Sequence, residues 1–201
     1  MEHWMRQLPT IGVFAPRWQQ KLEAFADDKR GIAAVEFALI AMPFFFLIFG
    51  LLEVCVIFIM SSILEHAASE ASRQIRTGQI QTAGHADSAT AKAAFLVDVC
   101  DELFGMMPCD NGKLKLDVQK FSSFGSTAGQ SLTFDGASND LDDSGFGFDT
   151  GAQNEIVVIR VFYEWDLIIP VMSAPLDNMG GTNRRLLQAT VAFRNEPFGS
   201  S

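Results

Sequence analysis

The chain is short of the residues from which most catalytic and nucleic-acid sites are built. Its 201 residues hold three Cys, three His and one Tyr, and 15 Lys and Arg stand against 24 Asp and Glu, a formal net charge of −9. An acidic chain repels phosphates, which argues against nucleic acid as a partner. The histidines, His3, His66 and His85, are scattered and form no His-Glu-x-x-His zinc motif. There is no Gly-x-Ser-x-Gly elbow and no glycine loop of the phosphate-cradling type. Asp140-Leu141-Asp142-Asp143-Ser144-Gly145 opens like a calcium loop, but its twelfth position is Gly151, where a bidentate Glu belongs. Glu164 and Asp166 flank Trp165 on one strand face and read as exposed acids rather than an acid–base pair. No cofactor, metal or enzymatic activity is expected.

Apolar residues, by contrast, make up 48% of the chain, and they are unevenly spread. From Ile32 to Met60 the run IAAVEFALIAMPFFFLIFGLLEVCVIFIM carries two charges, Glu36 and Glu53. About 20 apolar residues in helix span a bilayer, so this segment is long enough with a turn or two to spare. A buried core helix would keep a polar face, and Phe44-Phe45-Phe46-Leu47-Ile48-Phe49 has none. A secretory signal would place a short basic region before the run and small residues at a cleavage site after it. Here a long mixed segment precedes it, and Ser61-Ser62-Ile63-Leu64-Glu65 follows in helical register. Arg17, Lys21, Lys29 and Arg30 lie on the N-terminal side, whereas the nearest basic residues beyond the run are Arg73 and Arg76. The positive-inside rule therefore puts the N-terminus in the cytoplasm and residues 61–201 outside.

Glu36 is costly inside a membrane segment and needs a reason. By itself it could be an interfacial acid favoured by the helix N-terminus. Its setting is Lys29-Arg30-Gly31-Ile32-Ala33-Ala34-Val35-Glu36-Phe37: a basic pair, a glycine, four small or apolar residues, an acid and an aromatic. This resembles the prepilin-type processing site, in its Gly-x4-Glu-Phe form, of the Flp/Tad branch of type IV pili. The resemblance implies that a prepilin peptidase cuts after Gly31 and makes Ile32 the new N-terminus. It also implies that Glu36 of one subunit pairs with the freed amine of a neighbour, the condition under which a buried acid is tolerated. One such segment carrying a domain of about 140 residues is similar to the TadE-like minor pseudopilins. TadG-like relatives often add a von Willebrand A domain, whose Asp-x-Ser-x-Ser metal motif is absent here. Phe193-Arg194-Asn195-Glu196-Pro197-Phe198 and the segment around Tyr163-Glu164-Trp165 share the likeness less specifically. The leader is long, and an internal start at Met5 is one reading of it.

Beyond the run, residues 61–76 favour helix, and Gly78 is the expected C-cap. Pro43 should kink or locally unwind the helix, either as an ordinary membrane proline or as a hinge. Glu53 reads as an acid near the outer interface, with pairing to a neighbouring subunit as the alternative. A second helix is expected over 88–106, capped by Ser88, with Ala94, Phe95, Val97, Val99, Leu103 and Phe104 as its apolar face. Strands are expected over Lys113–Phe121, Glu155–Ile169 and Arg185–Arg194, with long loops at 122–154 and 170–184. Cys55 sits in the apolar run as a small apolar residue. Cys100 and Cys109 are external by this topology, where thiols oxidise, so a disulfide is expected between them; two free buried thiols are the alternative.

The expected organisation is a leader (1–31), a transmembrane helix (32–60), a helical stalk extension (61–78) and a periplasmic α+β domain (79–201). In that domain a small antiparallel sheet packs against helices. The resemblance implies a pilus assembly protein of the bacterial inner membrane that acts through its helix on other pilins, pseudopilins and platform proteins. The alternative is an uncleaved single-pass protein whose outer domain binds a ligand or partner.

Overall fold

The computed structural model describes residues 31–85, 87–127, 131–169 and 173–198. The leader, with its basic pair Lys29-Arg30 and the possible start at Met5, lies outside the described residues, as does Pro170. The chain divides into two compact units, one ending at Leu47 and one beginning at Ile48. Helix α1, Ile32–Arg76, runs through that division and contains Pro43. Within the first unit the described side chains are almost all exposed, as an apolar helix needs if lipid is its solvent.

In the second unit α1 changes character. Gly50, Glu53, Ile57, Met60, Leu64, Ala67, Ala68, Ala71, Ser72 and Ile75 are buried. Their spacing of three and four residues draws one stripe along the helix. The stripe is the floor of the main core. Over it lie helix α2 (Gln79–Thr82), helix α3 (Ser88–Asp101) and three strands, β1 (Leu114–Phe121), β2 (Ile156–Asp166) and β3 (Arg184–Arg194). The sheet is antiparallel in the order β1-β2-β3. Its register sets Leu114, Tyr163 and Leu187 in one row, Leu116, Val161 and Ala189 in the next, and Val118, Ile159 and Val191 in a third. These rows share the face that meets α1 and α3. The α+β architecture expected from the residue pattern is the one observed.

The second helix departs from expectation at both ends. Asp87, not Ser88, is the N-cap, and its carboxylate accepts the Thr90 N–H at 2.8 Å. A carboxylate caps at least as well as a hydroxyl and also complements the helix dipole. The helix ends at Asp101, and the chain turns through Phe104, at φ 52°, and Gly105, at φ 68°. Ala91, Phe95, Val99 and Leu103 form the buried row at intervals of four. Val97 and Phe104, expected in the core, are exposed; Phe104 lies beyond the helix, where its periodicity no longer holds.

The end of α1 is closed by the C-terminal segment. Gly78, at φ 80°, donates its N–H to the Ile75 carbonyl, as the sequence foretold. Glu196 donates its N–H to the Arg76 carbonyl at 2.9 Å, and its carboxylate lies 3.4 Å from the Arg76 guanidinium. Asn195 is buried and donates from Nδ2 to the carbonyls of Thr150 and Ala152. A Cβ on Gly78 would run into the Phe198 ring, whereas one on Gly84, also at positive φ, would meet open space. Gly78→Ala should therefore lower stability by more than the roughly 1 kcal/mol that left-handed backbone alone costs an alanine. Thermal melts of both alanine variants in detergent check this: equal losses for Gly78→Ala and Gly84→Ala would refute the role given to Phe198.

Candidate functional site

Gly31, Ile32, Glu36 and Phe37 stand at the start of α1, and all four are exposed. Four residues separate Ile32 from Glu36, so their side chains share one face of the helix. Phe37 is 70% exposed. Gly31 has ordinary negative-φ-compatible backbone space, and a Cβ built on it would meet nothing within 4 Å. No hydrogen bond or ion pair reaches Glu36 among the described residues. Pro43 also lies exposed within α1, where it withholds an N–H from the Leu39 carbonyl one turn back.

Cys100 and Cys109 are joined in a disulfide with Cα atoms 6.1 Å apart. It ties the last turn of α3 to the approach to β1, and Leu103 and Met107 in the closed loop are buried. Cys55 is free and exposed on α1.

Glu53, expected near the outer interface, is buried within the protein. It is 2% exposed, and its two carboxylate oxygens accept the backbone N–H groups of Ile168 and Ile169 at 2.9 and 3.1 Å. A carboxylate holding two N–H donors forms charge-assisted bonds that offset its desolvation. The partner lies in this chain, just after β2, rather than on a neighbouring subunit.

The sheet face turned away from α1 carries a second set of buried charges. Asp117 on β1 is 1% exposed and stands directly opposite Arg160 on β2. Arg160 Nε donates to Asp117 Oδ2 at 2.9 Å, and a second guanidinium nitrogen bonds the same oxygen. Gln119 and the Gly147 N–H complete the acid's shell. Four residues further along β2, Glu164 accepts from Arg184 at 2.6 Å and from the Leu141 N–H at 3.2 Å, with Lys115 at 3.7 Å. Glu164 is therefore buried and paired, contrary to expectation; Asp166 is exposed and pairs with Lys113. Both clusters lie beneath the 131–149 segment. That segment covers the outer face with Leu132, Leu141 and Phe146 against Phe162 and Leu186, and its Gly147 and Asp149 pair with the outer edge of β1 at Val118.

The aspartates of this segment work singly. Asp135 accepts the N–H groups of Ser138 and Ala137, Asp142 that of Ser144, and Asp140 pairs with Arg184. Among the described residues no three His, Cys, Asp or Glu side chains converge where a metal could be held. The Ser138 and Ala137 amides hold the Asp135 carboxyl below its ordinary value, and hydrogen bonds from Arg184 and then Ser138 do so for Asp140. These clusters were missed at the sequence level, although a signal existed. Asp117 and Arg160 are opposite charges near the middle of β1 and β2, on the face opposite the hydrophobic rows.

Among the described residues one helix, Ile32–Arg76, is long and apolar enough to cross a membrane, which suggests a membrane anchor continued into the core of an α+β domain. Residues 31–73, the opening stretch of the described chain, match the family model described as TadE-like protein. The match begins at Gly31 and ends in the buried stripe of α1. No curated protein and no solved structure matches the chain.

Two outcomes follow from the clusters. Asp117→Ala leaves Arg160, 12% exposed, without its acid and should cost about 3 kcal/mol in chemical denaturation; a loss within about 0.5 kcal/mol would sink the clamp, since surface changes fall in that range. Asp135 and Asp140 have depressed folded values, so their stabilisation is present above the unfolded carboxyl value, about pH 4, and is lost as pH falls through the folded one. Protection of the Ala137 and Ser138 amides, measured against their intrinsic exchange rates, should fall below about pH 4 and be level between about pH 5 and 7. Acceleration with rising pH beyond the intrinsic rate would contradict this.

Proposed function

We propose that the protein is a pilin-like minor component of a Tad-type pilus assembly system, matured by a prepilin peptidase that cuts after Gly31. The observation that carries this reading is the mismatch at the start of α1. A glycine and an acid stand five residues apart at the very edge of the TadE-like match, and among the described residues nothing packs within 4 Å of a Cβ built on Gly31 and nothing bonds Glu36. Such residues are explained by something outside the fold. Gly31 offers a peptidase an unhindered bond just ahead of the helix. Once freed, the Ile32 amine of one subunit meets Glu36 of the next, so that each neutralises the other in a dry helical bundle.

In this proposal the N-terminus is cytoplasmic and the domain beyond α1 is periplasmic, tethered to the inner membrane before any entry into a fibre. The positive-inside asymmetry of Lys29 and Arg30 supports that orientation. The Cys100–Cys109 disulfide supports it independently, because such bonds persist outside the reducing cytoplasm. The role is one of packing: α1 associates with the corresponding helices of other pilins and of platform proteins, and the folded domain is carried along.

The test is the intact mass of the membrane-extracted protein, with and without a co-expressed prepilin peptidase, and with Gly31→Arg as the control. A peptidase-dependent loss equal to residues 1–31, abolished by the substitution, is the expected result. A full-length mass throughout, with the peptidase active on another substrate, would leave an uncleaved membrane protein with an external binding domain as the better account. Glu36→Ala should leave cleavage and membrane insertion intact while reducing co-isolation with other pilins. Unchanged co-isolation would remove the pairing role.

A further inference from the structure

The turn that follows β2 is built as though no water reached it. Leu167, Ile168 and Ile169 are consecutive, and all three backbone N–H groups have partners inside the protein: the Asn183 carbonyl at 3.0 Å for Leu167, and the two oxygens of Glu53 for Ile168 and Ile169. The Leu167 carbonyl accepts from Asn183 Nδ2 at 3.1 Å. A turn in water can leave such groups to the solvent; a turn in lipid cannot. Yet the Ile168 side chain points outward and is 64% exposed. Three N–H groups bonded inside the protein beside an aliphatic side chain turned outward suit a segment resting in a bilayer interface.

Its level on α1 agrees. The bonds to Glu53 set Ile168 beside a helix residue that lies inside the apolar run, seven positions before its end at Met60. A span of about 20 residues begun at Ile32 reaches its outer boundary near Leu52. Leu51, Leu52 and Phe58, which bracket Glu53 on the helix, are exposed and apolar. The first polar pair on α1 past the run is Ser61-Ser62. Asp166 and Lys113, paired at the strand end just before the turn, mark the polar side of the boundary.

We propose that the turn after β2 is a second membrane contact, with Ile168 seated in the leaflet on the domain side of the bilayer that α1 crosses, and Glu53 holding the turn at that depth. The partner is the lipid itself, at the junction of acyl chains and headgroups. The second unit then meets lipid at this turn as well as along α1. The inference requires that α1 span the bilayer; it does not require cleavage at Gly31 or a place in a pilus.

The experiment uses the full chain in nanodiscs of phosphatidylethanolamine and phosphatidylglycerol. In a Cys55→Ser background, with the native disulfide kept, an environment-sensitive fluorophore is attached to Ile168→Cys, to Thr190→Cys on the exposed sheet face and to Leu47→Cys on α1. Each is challenged with lipids spin-labelled near the top of the acyl chain and with aqueous iodide. The expected result is lipid quenching at Ile168 several-fold above that at Thr190, with iodide quenching reversed. Iodide quenching at Ile168 equal to that at Thr190, with Leu47 still quenched by lipid, overturns the contact and leaves the span intact. Protection of Ile168 from both quenchers also overturns it, in favour of a protein contact. Loss of lipid quenching at Leu47 would overturn the span, and the second contact with it.

Discussion

The structure depends on one stripe of α1. From Glu53 to Ile75, a residue every third or fourth position turns inward, and every other layer of the second unit is laid on that row. The inner sheet rows at Leu116, Val161 and Ala189 have no other floor, and α3 completes the same core through Phe95, Val99 and Leu103. The helix thus answers to two solvents. Its first part is apolar all round. Its later part keeps small residues, Ala67, Ala68 and Ala71, where the core lies over it and polar ones on its free side. A membrane helix joined to its domain by a loop could be exchanged for another. This one cannot, because removing it removes the core.

The opposite face of the sheet is held by different physics. Here the covering layer is a segment rich in Gly, Ser and Asp with few apolar side chains, so burial alone is thin. Charges on the sheet supply the attachment: Asp117 pairs with Arg160 and Glu164 with Arg184 and Lys115 across the strands, and Arg184 reaches Asp140 of the covering segment. Each buried carboxylate also takes a backbone N–H from the covering segment, Gly147 in one case and Leu141 in the other. Fully paired and hydrogen-bonded charges are costly to break singly and fix a unique arrangement of a loop that hydrophobicity would leave loose. The same logic applies at Glu53, where an acid in an apolar run ties the turn after β2 to the helix.

Much of this was legible beforehand. The apolar run, the strand at Ile156–Asp166 with its nearly unbroken Val and Ile, the cap at Gly78 and the Cys100–Cys109 pair all announce themselves, because each is set by neighbours in the chain. What stayed hidden was pairing across distance. Glu164 looked exposed because alternation tells which residues share a face, not whether a loop covers it. The partners of Glu53, Ile168 and Ile169, went unseen because they are backbone groups, and a backbone N–H leaves no mark in a sequence. The cap at Ser88 was misplaced by one residue because Asp87 and Ser88 are both good caps and local chemistry does not choose between them.

The sequence by itself determined that a helix of this length and polarity would form, that a sheet and a second helix would follow it, and that Gly31 and Glu36 would stand in a motif of recognisable spacing. Those are properties of periodicity and of side-chain chemistry, which act over a few residues. The tertiary structure alone decided that α1 would serve as core as well as anchor, that the acid-rich segment would lie across the outer sheet face, and that Glu53 would meet a turn more than a hundred residues away. Such contacts form only when burial of the stripe has brought distant segments within hydrogen-bond reach, and the desolvation of each charge is offset by a partner that the fold has delivered.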